Sequence, residues 1–230
     1  MQKKIIVLSN GLEETFYEYV QSKGFRIIKI KRSKSTYTAI AKHPDIFSFS
    51  LGGKLVIAPE ITKYFDNDLK DFLIWGKSKI KHEYPGNICY NVARVGSFAI
   101  HNTKYTDSVI KEKLDCQWIH VNQGYTKCNT LIVNEDSLIT SDKSIYKETT
   151  KKGLNCLLIQ PEHIVLKGLD YGFIGGASVK IDDEIIFYGD ICKHPDYPQI
   201  KKFIENRNLE IKFFKFPLED IGSGIKLVIN

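Results

Sequence analysis

An α/β fold assembled from five ββαβ units about a pseudo-fivefold axis is predicted by three features of this 230-residue chain. Four segments, residues 45–60, 87–102, 128–142 and 177–190, share one layout of strand, Gly/Asp/Asn-containing turn and second strand. Behind each hairpin come a stretch of helical periodicity and then a short β-branched or aromatic strand. The two ends of the chain supply the halves of a fifth unit. Taking the second strands to begin at Lys54, Ser97, Ser137 and Glu184, the repeat is about 43, 40 and 47 residues, the period of an array of supersecondary units.

In chain order, KKIIVLSN (3–10) reads as a second strand, GLEETFYEYVQSKG as its helix and FRIIKIK (25–31) as its closing strand. The first strand missing from this unit is GIKLVIN (224–230), and pairing it with the N-terminal strand closes the ring and removes two exposed edges. The helices of the other units are expected near 65–75, 105–114, 144–152 and 197–206, and their closing strands at 78–84, 117–123, 155–161 and 209–216. Ser141 and Asp142 form a capping pair before the third of these helices, and His194–Asp196 with the following Tyr-Pro reads as the cap of the fourth. One domain, 1–230, is expected.

A composition of 43% apolar and 26% charged residues suits an ordinary soluble globule. The net charge of +6 is spread through nearly every segment, which supports nucleic-acid binding only weakly. Five cysteines without a CxxC pair or zinc spacing read as reduced thiols of a cytoplasmic protein. No run approaches the roughly 20 apolar residues of a membrane span, and IIVL is too short for a secretory signal. GxGxxG, P-loop and HExxH patterns are absent and the histidines show no ligand spacing, so neither a cofactor nor a metal is expected.

Five ββαβ units with a split terminal unit resemble the pentein superfamily, the guanidino-group-modifying enzyme fold, and the resemblance spans the whole chain. At segment level, HVNQGYTKCNTLIVNEDSLITSD, GFIGGASV and HPDI are similar to uncharacterised bacterial members of that fold. The resemblance implies a five-bladed α/β-propeller. In catalytic members an acid, a histidine and a C-terminal cysteine converge on an axial funnel, where the thiolate attacks a guanidinium carbon. His120 in IHVNQ matches the histidine; YPGNI carries Asn87 where the acid would stand, and IGSGIKLVIN has no cysteine. The usual deiminase chemistry is therefore not expected.

Each unit delivers the start of its first strand to the same funnel, and these starts are polar or small: His43 and Asp45; Asn87; Lys127, Cys128 and Asn129; Gly175, Gly176 and Ser178; Gly222 and Ser223. Cys128 is the nucleophile candidate by position, with His120 eight residues upstream as acid/base; a buried inert thiol and a core histidine are the alternatives. If 127–129 were strand, Lys127 and Cys128 would face opposite sides. Asp45 supplies the missing anion if it faces the axis, or else bonds local amides. Two functions follow: a thiol-dependent hydrolase or transferase on a small guanidino- or amide-bearing metabolite, or a non-catalytic protein that binds a small ligand, or ribosomal RNA, through the same fold.

Overall fold

The computed structural model describes residues 3–229. Its fifteen strands form five three-stranded sheets, and every sheet repeats one topology: a first strand antiparallel to a middle strand, which is parallel to a third. The first unit comprises β1 (Lys3–Ser9), α1 (Glu14–Ser22) and β2 (Arg26–Ile30), completed by β15 (Ile225–Ile229) from the other end of the chain. Lys3 pairs with Ile229 and Val7 with Ile225, so the predicted pairing of the terminal strands is present; Asn230 lies outside the described residues.

The second unit has α2 (Pro44–Phe47), β3 (Ser48–Ser50), β4 (Leu55–Ile57) and β5 (Leu73–Trp75). The third has β6 (Ala93–Val95), β7 (Phe98–His101), α3 (Ser108–Lys113) and β8 (Gln117–His120). Next come α4 (Thr126–Asn129), β9 (Thr130–Ile132), β10 (Ser137–Thr140), α5 (Lys143–Thr150) and β11 (Asn155–Leu158). The last unit is β12 (Ser178–Ile181), β13 (Glu184–Phe187), α6 (Tyr197–Glu205) and β14 (Glu210–Lys212).

The middle strands are apolar without alternation because both of their faces are covered. Ile5, Ile6, Val7 and Leu8 of β1 are buried, as are Leu55, Val56 and Ile57 of β4 and Ile185, Ile186 and Phe187 of β13. One face packs on its own helix: Phe16, Tyr17 and Val20 of α1 are buried, as are Ile200 and Ile204 of α6. Each such side chain contributes about 1.5–3 kcal/mol by leaving water. Asp107 and Asp142 cap α3 and α5 by accepting from the amides of Val109 and Ile145, which fixes where those helices begin.

The five sheets are separate. The first strands of neighbouring units meet through side chains, as where Ile225 and Leu227 of β15 share an apolar cluster with Phe49 of β3, and each sheet ends at its own three strands. In the second unit the helix expected at 65–75 is replaced by two 3₁₀ turns, Pro59–Tyr64 and Asn67–Phe72, and the closing strand is Leu73–Trp75, not 78–84. Pro59 and the Asp66–Asp68 cluster break the segment into short turns, so the apolar LIW becomes the strand. Finally, Asp196 stands at the N-terminus of α6 without capping it; its carboxylate instead accepts from the backbone amide and side-chain amide of Gln160.

Candidate active site at the strand entrances

The chain does not run straight into the first strands of the second and fourth units. A single helical turn precedes each, α2 before β3 and α4 before β9, and these turns carry the polar groups. Pro44 favours the start of α2, and the backbone amide of Asp45 donates to the carbonyl of Gly222 at the entrance of β15. In α4 the orphan amides of the first turn are satisfied from another unit: Asn91 Oδ1 accepts from Lys127 N at 2.8 Å and Cys128 N at 3.2 Å. The Nδ2 of the same Asn91 donates to the Asp45 carbonyl at 3.3 Å and to Cys128 Sγ at 3.4 Å.

These contacts bring Cys128 Sγ to 2.9 Å from Asp45 Oδ2. His43, Cys128 and Asp220 offer donor atoms that all lie within 4.8 Å of one another, and all three residues are buried. His43 Nδ1 is 3.7 Å from Asp220 Oδ1, and neither His43 Nδ1 nor Asp45 Oδ1 has a hydrogen-bond partner among the described residues. Asp220 is held by the backbone amides of Phe173 and Gly222, each at 2.9 Å. This N, S and O donor set is of the kind that suits a borderline cation such as zinc. It also suits thiol chemistry, since a thiol, a carboxylate and an imidazole lie within a proton's reach.

Burial dominates the electrostatics. Desolvation, then repulsion from Asp220, raises the Asp45 carboxyl to about 8, while burial raises Asp220 itself to about 6, partly offset by the amides of Gly222 and Phe173. Burial and the two carboxylates push the Cys128 thiol well above its usual range, and burial drops His43 to about 3, leaving a neutral imidazole. At neutral pH the site therefore holds a thiol, a mostly protonated Asp45 and an ionised Asp220.

A cavity of about 200 Å³ opens onto Cys128, His43 and Asp220, walled by Tyr37, Tyr125, Tyr171 and Phe173 together with Ile40, Leu166, Leu169 and Asp170. No lysine or arginine lines it. The tyrosines are themselves positioned: Tyr125 Oη donates to Asn87 Oδ1 at 2.8 Å and lies 3.0 Å from Tyr37 Oη.

The sequence matches the family model DUF6873, described as a family of unknown function, over residues 7–225. The chain belongs to that family. No curated protein matches this DUF6873 chain. Among solved structures it is similar to DDAH from Pseudomonas aeruginosa complexed with citrulline, at TM-score 0.60 and 10% identity over 99% of each chain. It is also similar to a substrate-bound variant of agmatine deiminase from C. jejuni, at TM-score 0.54 and 12% identity, covering 94% of this chain and 91% of that one. An amidinotransferase from Microseira wollei matches at TM-score 0.55 and 8% identity, covering 92% and 88%. These are pentein superfamily members, and the DUF6873 chain has their fold; at such identities the likeness shows the fold alone.

Of the residues singled out in the sequence, His43, Asp45 and Cys128 come together. His120 does not join them. It is exposed at the end of β8, where its Nδ1 faces Thr103 Oγ1 at 2.8 Å, and no hydrogen bond links it to Cys128 among the described residues. Asn87 stands behind the tyrosines rather than at the thiol. Asn129 turns toward β10, its Oδ1 accepting from Thr140 Oγ1 at 2.6 Å. Gly175 and Gly176 serve close packing: a Cβ at Gly175 would strike the Lys127 and Thr130 carbonyls, and one at Gly176 the Asp220 carboxylate. Ser178 Oγ donates to the Ile174 carbonyl.

The alternation expected of Lys127 and Cys128 does not apply, because α4 is a helical turn in which neighbouring side chains diverge by about 100°. Cys128 points to Asp45, and Lys127 Nζ reaches Ser223 Oγ at 2.7 Å. Ser223 sits at φ 61°, a left-handed conformation costly for a residue with a side chain.

Asn91, Asp220, Tyr37 and Tyr125 were missed. A signal existed for Asn91: it stands two positions before Ala93 of β6, as Cys128 stands two before Thr130 of β9 and Gly176 two before Ser178 of β12. Counting back from each strand would have selected Asn91 over Asn87.

Proposed function

We propose that this DUF6873 protein is a thiol-dependent hydrolase or transferase acting on a C–N bond of a small guanidino- or amide-bearing metabolite. Its five sheets would be the blades of a five-bladed α/β-propeller within one domain, the ring completed by β15 on β1. The cluster of His43, Asp45, Cys128 and Asp220 would lie on its axis. The observation that carries the reading is the 2.9 Å contact between Cys128 Sγ and Asp45 Oδ2 beside a 200 Å³ aromatic cavity.

A guanidinium between Asp45 and Asp220 would lower both carboxyls, because a nearby cation favours the charged form. Asp45, ionised by the ligand, takes the Cys128 proton while Sγ bonds to the central carbon. The protonated Asp45 then returns that proton to the departing amine as the C–N bond breaks. Water, or a second amine in a transferase, attacks the same carbon; His43, neutral and with a free Nδ1, accepts the attacking group's proton and passes it to Cys128 Sγ as the C–S bond breaks, which restores the thiol. The absence of a cationic side chain on the wall disfavours substrates bearing a carboxylate, so an amine-ended guanidine fits better than an amino acid.

Incubation with agmatine, arginine and dimethylarginine tests this by release of ammonia or alkylamine. Release is expected from agmatine above arginine, and none from Cys128→Ser or Asp45→Asn. If wild type and Cys128→Ser release equally, the thiol has no role. A second reading, a binding protein without chemistry, is favoured by one observation, the burial of Cys128 at 3% exposure, which keeps its thiol protonated. It predicts calorimetric binding of the same amines by wild type with no turnover.

A further inference from the structure

The helical turn α4 separates two cavities. Cys128 faces the aromatic one, and Lys127 faces another of about 300 Å³ whose wall includes Lys180, Lys226, Ser223 and Glu135. An adjoining cavity of about 170 Å³ shares Lys127 and Lys226 and adds Arg94. This arrangement comes from strand alternation: Lys226 stands between buried Ile225 and Leu227 in β15, and Lys180 between buried Val179 and Ile181 in β12, so both ammonium groups leave the core on the cavity side.

Three half-buried ammonium groups around one space repel, and their hydrogen-bond partners are uncharged; Lys127 alone also feels the Asp45 and Asp220 carboxyls, which only partly offset its burial. Lys127 Nζ bonds the Ser223 hydroxyl and Lys180 Nζ the Val133 carbonyl, each at 2.7 Å. Among the described residues Lys226 Nζ has no hydrogen-bond partner and no carboxylate lies within 4 Å of any of the three, whereas Lys4 and Lys23 find Asp182 and Glu184. Burial first, then the neighbouring Lys180 and Lys127, pull the Lys226 ammonium below the ordinary lysine range, partly offset by Asp182. Glu135, the one carboxylate on the wall, is exposed at the rim.

We propose that this cavity is an anion site for a compact multivalent oxyanion of the phosphate class, free or as the phosphoryl group of a small metabolite, held by Lys127, Lys180 and Lys226. Several ammonium donors converging on one ligand give the charge-assisted hydrogen bonds that phosphate oxygens accept best. A monovalent anion would leave most of the repulsion in place.

Calorimetric and thermal-unfolding titrations of the full chain with inorganic phosphate, pyrophosphate and phenyl phosphate, at constant ionic strength, test it. Binding should saturate, with pyrophosphate tighter than phosphate, and Tm should climb with the logarithm of ligand concentration. Phenyl phosphate binding as tightly as phosphate assigns the site to esters, and weaker binding assigns it to the free ion. Lys226→Met should weaken binding about tenfold or more, the loss of one charge-assisted bond. Without ligand the same variant should melt higher than wild type, because a repelling charge is gone, which also shows that it folds. A Tm shift no larger than sodium chloride gives, equal affinity in wild type and Lys226→Met, or tighter binding of citrate than of pyrophosphate overturns the proposal. Cys128→Ser should bind phosphate like wild type, so this result and the turnover assay fail independently.

Discussion

Asp45 is fully buried, one of its oxygens has no hydrogen-bond partner among the described residues, and its carboxyl is raised to about 8. In the unfolded chain an aspartate titrates near 3.9, so across the interval between the two values the native state binds the extra proton. Stability must then fall as pH rises, by up to about 1.4 kcal/mol per pH unit for one proton. Asp220, raised to about 6, acts in the same direction but only below that pH. His43 and His101, lowered to about 3 and about 4, act oppositely, and their contribution is lost as pH falls below the unfolded value near 6.5. Asp45 is thus left to govern the range from pH 6.5 to 8. Urea unfolding should show wild-type stability declining over that range and Asp45→Asn, which keeps an oxygen for the Cys128 thiol, staying nearly flat. Parallel slopes would mean that Asp45 is ionised in the native protein throughout.

The elements divide by how local their causes are. Helices α5 and α6 and the middle strands were legible because apolar periodicity and, for α5, the Asp142 cap lie within the segment itself. The turns α2 and α4 were not, since four residues carry no period and α4 depends on Asn91, 35 or more positions away. The site inherited that limit. His43, Asp45 and Cys128 were readable as polar strand starts, whereas Asp220 and the tyrosine wall depend on how separate units meet. Asn91→Ala should therefore act on an element it does not belong to. It leaves the Cys128 amide without an acceptor and the Asp45 carbonyl without a donor, while the Lys127 amide keeps the Asn91 backbone carbonyl; two groups at about 1–3 kcal/mol per unsatisfied buried group make a loss of about 2–6 kcal/mol. Asn87→Ala, which frees only the Tyr125 hydroxyl and two long contacts, should cost less in the same urea titration.

At the scale of the molecule, the fifth unit is made from both ends of the chain, so its integrity measures whether the units stand or fall together. Leu227 of β15 is fully buried opposite Ile5, and Leu227→Ala should cost about 2–5 kcal/mol through lost burial and a residual cavity. If the array unfolds as one cooperative body, that loss reaches Cys128 in the fourth unit, a residue only 3% exposed. Iodoacetamide labelling of Cys128 through rare opening should then speed up by the corresponding factor, roughly 30-fold to several thousand-fold, under conditions where reclosing outpaces labelling. Cys192, already exposed, should react at one rate in both proteins and serves as the internal standard. Should Cys128 labelling stay unchanged while Leu227→Ala lowers the melting of β15 alone, the terminal pairing is a local clasp and the other four units hold themselves.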